Sequence, residues 1–406
     1  MSVSPSSPKV LLRTVYFIYF FCGLTLCLEG AFNPEFKDHF QLGYQQQMYT
    51  MLTKNLPFVL ALVIGLFVTR IGYKNCLSVG LFLFAVGTLL LVPGLERGSY
   101  ALVLVGFFII GLGFNFQLVA GNPLLSHLGP AEGSSSRLNL GNALGAIAQI
   151  LGPLVLATLI PATVTSVQAK LPYMKGLFTI TGFLLLGVAV MTLLIRETGI
   201  SPGQASTSSS ERTSASPWAV WLRPKVLLGF VTIFLVLGAE AGLFGLFRNY
   251  LEDPAIAGLT SRQSQQLFTV YFAVFALGRL VGAAVQKIVK PAYTLAVNAV
   301  VAALLLLIMV SAKGPIAIVA AVAIGFFVSI FFPTLYSLAI EGMGDQTPQV
   351  SGLLTMGFLG CALLPVLQGR LADQFGLQRS YLMWLIPYLC ALLYALNTHR
   401  FAKCNA

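Results

Sequence analysis

The chain has 406 residues, of which 57% are hydrophobic and only 9% charged, and its mean hydropathy is +0.85. A soluble domain carries about a quarter charged residues, so these totals exclude one and point to a polytopic membrane protein in a lipid bilayer. The net charge of +11 is spread over loops with no basic run or basic–aromatic interleaving, which excludes a nucleic-acid partner.

A spanning helix needs about 20 largely apolar residues. In chain order such runs fall near 12–32, 48–69, 75–95, 101–124, 138–162 and 174–195, and then near 225–250, 263–286, 291–312, 315–338, 349–370 and 380–398. The expected fold class is therefore an all-α integral membrane protein with twelve transmembrane helices in two sets of six. The polar N-terminus, MSVSPSSPKV, leads into a first run with no small-residue cleavage site, so that run is expected to be a retained span. The cysteines are scattered through apolar segments without a CxxC pair and are expected to be small buried hydrophobes. No metal, cofactor or disulfide framework is expected.

Between the two sets lies Glu197–Arg223, ETGISPGQASTSSSERTSASPWAVWLR, a Ser/Thr/Pro-rich linker ending in the interface-type residues Trp218 and Trp221. Domain boundaries follow at 1–196, 197–223 and 224–406. Lys and Arg are in excess in the loops on the side of the two termini, which predicts cytoplasmic termini in the cytoplasmic (inner) membrane. The halves echo one another. Gly65–Lys74 (GLFVTRIGYK) corresponds to Gly278–Lys290, and Asn122–Gly129 (NPLLSHLG) to Phe332–Ala339 (FPTLYSLA). Two equal halves suit a parallel duplication with a site near the bilayer midplane.

The most informative stretch is Gly106–Leu140, where Asn115, Gln117 and Asn122 interrupt a lipid-grade apolar run. Unpaired amides cost several kcal/mol in hydrocarbon, so these side chains are expected to face protein or a water-filled cavity. Pro123 removes one backbone hydrogen bond and is expected to loosen the helix there. Thr25, Glu29 and Asn33 form a four-residue-spaced polar stripe on the first span. A desolvated Glu29 suits proton coupling or solute contact; a fixed ion pair with Lys54 is the structural alternative. Lys54 either faces the cavity or snorkels to the interface. Asn139, Asn142 and Gln149 stripe the fifth span, as hydroxyl contacts or as helix–helix glue. Glu240 lies mid-span with Phe244 and Phe247 one and two turns on, an acid beside an aromatic platform. The alternative is a protonated Glu bonded to a neighbouring helix. Tyr271 and Tyr336 are further cavity candidates, although an aromatic in a span is more often packing. Arg70, Arg137 and Arg279, toward the terminal side, are read as gate and loop anchors. His39, His127 and His399 lack the setting of a buried proton relay.

LVGFFIIGLGFNFQLVAGNPLLSHLGP with RLNL resembles the ANP-x4-LGP and RLNL signatures of the fucose:proton symporter family, a branch of the major facilitator superfamily that includes fucose permeases and glucose/galactose transporters. Phe331–Gly344 (FFPTLYSLAIEGMG) and Gly238–Leu251 (GAEAGLFGLFRNYL) resemble its spans 10 and 7, and Gly65–Lys74 resembles the superfamily's first loop motif without its Asp. The resemblance implies two six-helix bundles and sugar transport with protons. Two family acids are replaced, by Leu118 four before Asn122 and by Gly30 beside Glu29, while Glu240 matches the acid of the glucose/galactose subgroup. Glu29 and Glu240 are therefore the expected proton carriers. Thr25, Lys54, Asn115, Gln117, Asn122, Asn139, Asn142, Gln149, Phe244, Tyr271 and Tyr336 are the expected solute contacts. A carrier of an anionic metabolite (an organic acid or a carboxylate siderophore) with Lys54 as counter-charge, an uncoupled facilitator and a non-transporting receptor stay open. No nucleophile motif, metal cluster or phosphate loop suggests an enzyme. The expected working unit is a monomer.

Overall fold

The computed structural model describes residues 8–128, 134–161, 163–164, 166–195, 223–286, 288–341, 343, 350 and 353–404. Of the linker expected at 197–223 only Arg223 is among them, and the side chains of Glu29, His127, Asn139, Asn142 and His399 lie outside them. Every described element is helical. In chain order these are α1 (Pro8–Ala31), α2 (Asn33–His39), α3 (Tyr44–Gln47), α4 (Tyr49–Asn55), α5 (Ala61–Ile71), α6 (Tyr73–Glu96), α7 (Tyr100–His127), α8 (Ser134–Leu159) and α9 (Val167–Leu194). They continue with α10 (Pro224–Glu252), α11 (Ser261–Val285), α12 (Pro291–Ser311), α13 (Gly314–Val328), α14 (Phe331–Ile340), α15 (Leu359–Phe375), α16 (Leu377–Ser380) and α17 (Leu385–Cys404).

Among the described residues ten helical stretches are long and apolar enough to cross a membrane. Of the other two expected spans, one is present in altered form. The run expected as one helix at 48–69 is broken into α4, a 3₁₀ turn at Leu56–Leu60 and α5. Pro57 sits inside that turn, where its missing N–H favours a tighter local structure. The fifth expected span is α8, one continuous helix over Ser134–Leu159. The loosening expected at Pro123 does not occur: α7 continues through it to His127, because one lost bond is tolerated within a 28-residue helix.

The helix starts follow local chemistry. Ser99 and Ser166 cap α7 and α9, and Thr260 with Gln263 forms a capping box at α11. Proline opens α10 and α12, where an N–H would have no helical partner.

The chain divides into two compact units, Met1–Gln41 with Thr53–Glu211, and Leu42–Leu52 with Arg212–Ala406. In the first, α6 and α7 meet along paired glycines. A Cβ on Gly113 would lie 2.5 Å from the Gly80 carbonyl, and one on Gly87 would lie 2.7 Å from the Gly106 carbonyl. Lipid supplies no hydrophobic drive between helices, so close backbone approach and dispersion contacts hold this seam. Nearby, Phe36 stacks on Phe178 and meets Phe107 edge-on. Lys170 and Glu35 form a buried pair at 3.0 Å between α9 and α2.

In the second unit α10 and α15 make the corresponding contact, since a Cβ on Gly360 would lie 1.9 Å from the Phe234 carbonyl. The Arg248 guanidinium, 4% exposed, donates to Glu252 (2.7 Å) and Ser261 (2.8 Å) and ties α10 to α11. The segment Leu42–Leu52 packs within this unit. The Asp373 carboxylate accepts from the Tyr44 and Gln45 amides at 2.6 and 2.9 Å, and Gln47 donates to Asn249 at 2.9 Å.

Outward faces of the helices carry exposed apolar side chains such as Leu194, Leu280, Ile316 and Val319, the surface expected against lipid tails.

Filling the α6–α7 seam with Gly113→Leu forces these backbones apart and is expected to cost about 1–3 kcal/mol or more. A melting temperature in detergent equal to that of the unaltered protein would contradict this packing.

Candidate functional site

In the second unit, four of the expected site residues come together. Glu240 lies near the middle of α10, and its side chain is 18% exposed. The Arg279 guanidinium of α11 approaches it to 4.0 Å, a loose pair at the limit of direct contact. Arg279 has two other holds: it donates to the Ser329 carbonyl at 3.3 Å and lies over the Phe275 ring at 4.7 Å. Phe244, one turn beyond Glu240, stacks on Phe272 with ring centroids 5.1 Å apart and meets Tyr271 edge-on at 5.4 Å. The result is a carboxylate, a partly exposed cation and an aromatic wall at one level. The expected platform is therefore built on α10 and α11 jointly. Phe247, by contrast, is fully buried against Phe268 and Tyr271.

Other groups join this cluster that were not singled out from sequence. Tyr381 and Tyr388 are buried, and Trp384 between them is wholly enclosed. The Gln368 amide, oriented to satisfy both neighbours, donates to the Gly242 carbonyl and accepts from the Trp384 indole, each at 3.1 Å. Gly242 is the close-approach point, since a Cβ there would lie 2.1 Å from the Trp384 ring. The signal was present in the chain: Tyr381, Trp384 and Tyr388 are spaced by three and four, so they share one face of the last span.

The first unit holds the remaining described candidates, and several are already engaged. Asn115, 1% exposed, donates to the Pro57 carbonyl at 2.7 Å, so it tethers α7 to the 3₁₀ break. Thr25 is buried and bonds back to the Phe21 carbonyl of its own helix. Asn122 accepts from the Tyr19 phenol of α1 at 2.5 Å, a partner not anticipated from sequence. Gln117 is 2% exposed, and its Oε1 has no hydrogen-bond partner among the described residues. The half-buried Gln149 receives the Cys27 thiol on its backbone carbonyl. Lys54 is half-buried in the last turn of α4, within electrostatic reach of Cys27, and its carbonyl abuts Gly111 of α7.

The gate and loop residues differ in setting. Arg137 donates to the Leu125 carbonyl at 2.9 Å, which fastens the start of α8 to the end of α7. Arg70 is exposed at the end of α5, just before Gly72, whose φ of 83° closes the helix. Tyr336 is half-buried against Phe332. The expected roles of Glu29, Asn139 and Asn142 concern side chains outside the described residues. Among the described residues no group of His, Cys, Asp and Glu could hold a metal ion.

The Major Facilitator Superfamily profile matches residues 15–365. A glucose/galactose transporter of Brucella abortus is 32% identical over 388 residues, covering 95% of this chain and 93% of the relative. The L-fucose-proton symporter of Escherichia coli is 26% identical over 411 residues, covering 94% and 90%. Of solved structures, the Escherichia coli fucose:proton symporter superposes with a TM-score of 0.65 at 24% identity over 97% of this chain and 99% of its own. A bacterial homologue of the human lysosomal transporter Spinster gives 0.77 at 15% identity over 99% of both chains.

The two amides of α7 are separable by experiment. Asn115→Ala leaves the Pro57 carbonyl unpaired and is expected to cost about 1–3 kcal/mol, read as a lower melting temperature. Gln117→Leu removes an unpaired buried oxygen and is expected to leave the melting temperature equal or higher. The reverse order would show that the hydrogen bonding of α7 is wrongly described.

Proposed function

Because the chain belongs to the Major Facilitator Superfamily, and within it to the fucose:proton symporter family, it is a multi-pass membrane transporter and not an enzyme, and we propose that its cargo is a hexose carried with protons. The two halves, 1–196 and 224–406 with the linker between them, are the elements that alternate access to the solute. The termini lie on the cytoplasmic side of the inner membrane, and the working unit is a monomer.

The observation that carries this reading is the loose pairing of Glu240 with Arg279 beside the Phe244 wall. A carboxylate in the middle of a span is costly unless it is paired or protonated. At 4.0 Å the pair is weak enough for a proton to replace the guanidinium, and Arg279 has the Ser329 carbonyl and the Phe275 face to fall back on. Proton binding to Glu240 and release of Arg279 are thus one exchange. An aromatic face next to it suits the apolar side of a pyranose ring, and the carboxylate and guanidinium suit its hydroxyls. Gln117 on α7, with Asn139, Asn142 and Gln149 on α8, supplies further amides, and Glu29 supplies a second acid.

A second reading has its own observation. Lys54 holds an ammonium group half-buried at the end of α4, where an anionic cargo would find a counter-charge. An organic acid or carboxylate siderophore fits that case.

Proteoliposomes are expected to accumulate radiolabelled D-glucose or D-galactose faster under an inward proton gradient. Glu240→Gln is expected to abolish the gradient-driven accumulation and spare counterflow exchange; undiminished accumulation would remove Glu240 from the proton step. Lys54→Ala should weaken binding of citrate far more than of a hexose if the second reading holds, and equally if it does not.

A further inference from the structure

Glu240 meets Arg279, whose side chain is 47% exposed. One turn beyond Glu240 on α10, Phe244 meets the Tyr271 ring of α11 edge-on at 5.4 Å, and Tyr271 and Tyr388 of α17 interact electrostatically with the Glu240 carboxylate. Both phenols are buried, at 0% and 1% exposure, and neither hydroxyl has a hydrogen-bond partner among the described residues. Tyr381, behind them, is equally buried and equally unpartnered. An enclosed hydroxyl left unpaired costs about 1–3 kcal/mol, which a phenylalanine in the same place would not incur. Packing does not require those hydroxyls. The Tyr271 ring is held by Phe244, Phe247 and the bare backbone of Gly325, and the Tyr388 ring by Phe331.

The other polar groups around Glu240 are committed elsewhere. From α15 the Gln368 amide is used by Gly242 and Trp384, and the Trp384 indole by Gln368. From α11 the cation paired with Glu240 is Arg279, and it is shared with Ser329 and Phe275. Among the described residues, the Tyr271 and Tyr388 phenols are donors without a partner. Measured along their helices at about 1.5 Å per residue, Glu240 and Tyr271 lie about 15–18 Å from the same end of the unit.

We propose that Tyr271 and Tyr388, backed by Tyr381, are positioning groups for the proton step: they solvate the Glu240 carboxylate and so set the pH at which it exchanges a proton. The phenols donate to the anion through one shared water and keep their own protons throughout; the proton that Glu240 binds comes from solvent on the Arg279 side. Donation to the anion favours the charged form, so this contact keeps Glu240 able to release its proton when Arg279 moves off. The inference rests on the reading of Glu240 as a proton carrier.

The test needs no cargo. The purified full-length protein is titrated by infrared difference spectroscopy between about pH 4 and pH 9, and the carboxyl band lost in Glu240→Gln is taken as that of Glu240. In Tyr271→Phe and Tyr388→Phe, which preserve ring packing, the midpoint of that band is expected to move up by about 1 pH unit. In Tyr394→Phe, whose hydroxyl bonds the Lys225 carbonyl at the opposite end, it is expected not to move. Midpoints unchanged in both phenol variants, with melting temperatures retained, would overturn the inference and leave the carrier reading intact. If no titrating band disappears in Glu240→Gln, the carrier reading falls and takes the inference with it.

Discussion

The contact between Glu240 and Arg279 is the one on which the rest of the structure bears. A mid-span carboxylate and a partly exposed guanidinium stand at 4.0 Å, close enough to offset one another and too far for a tight bidentate pair. A tight buried pair would be a structural fixture. A loose one, in which the cation also has a second acceptor and an aromatic face, is what the proposed proton exchange would use. The surrounding helices make that geometry possible. The glycines of α10 and α15 allow the backbones to touch, and the Arg248 cluster locks the far ends of α10 and α11. The polar site can then be loose while its frame stays rigid.

The same economy explains the amides. In hydrocarbon a polar side chain is tolerated when the protein itself supplies its partner. Asn115 meets that condition on the Pro57 carbonyl and Asn122 on the Tyr19 phenol, and both thereby stitch α7 to its neighbours. Gln117 of the same helix has an oxygen without such a partner among the described residues. Polar residues that look alike in a list thus divide into those already tied to a neighbour and those that are not.

The family relation and the site support one another on different grounds. The superfamily profile and the relatives establish a transporter with a recognisable pattern along nearly the whole chain. The pattern says little about the proton step, because two of the acids expected by resemblance are replaced by Leu118 and Gly30. What the second unit adds is a mid-span acid loosely paired with Arg279 and, in the same unit, buried phenols whose hydroxyls have no partner among the described residues.

Hydropathy alone was enough for the helical membrane class, for most of the spans and for marking Glu240 as an acid inside one, because a long apolar run in lipid has one stable local structure and a charge inside it stands out. The spacing of Tyr381, Trp384 and Tyr388 held the signal of a shared face but not what that face meets. Tertiary structure alone decided which polar groups are occupied. That Asn115 bonds a proline carbonyl, that the run at 48–69 breaks into three pieces with its first part packed in the second unit, and that Arg279 reaches Glu240 all depend on atoms far apart in the chain. The reason is physical: helix formation is a local matter of backbone hydrogen bonds, whereas the partner of a buried side chain is chosen by how close two backbones can come.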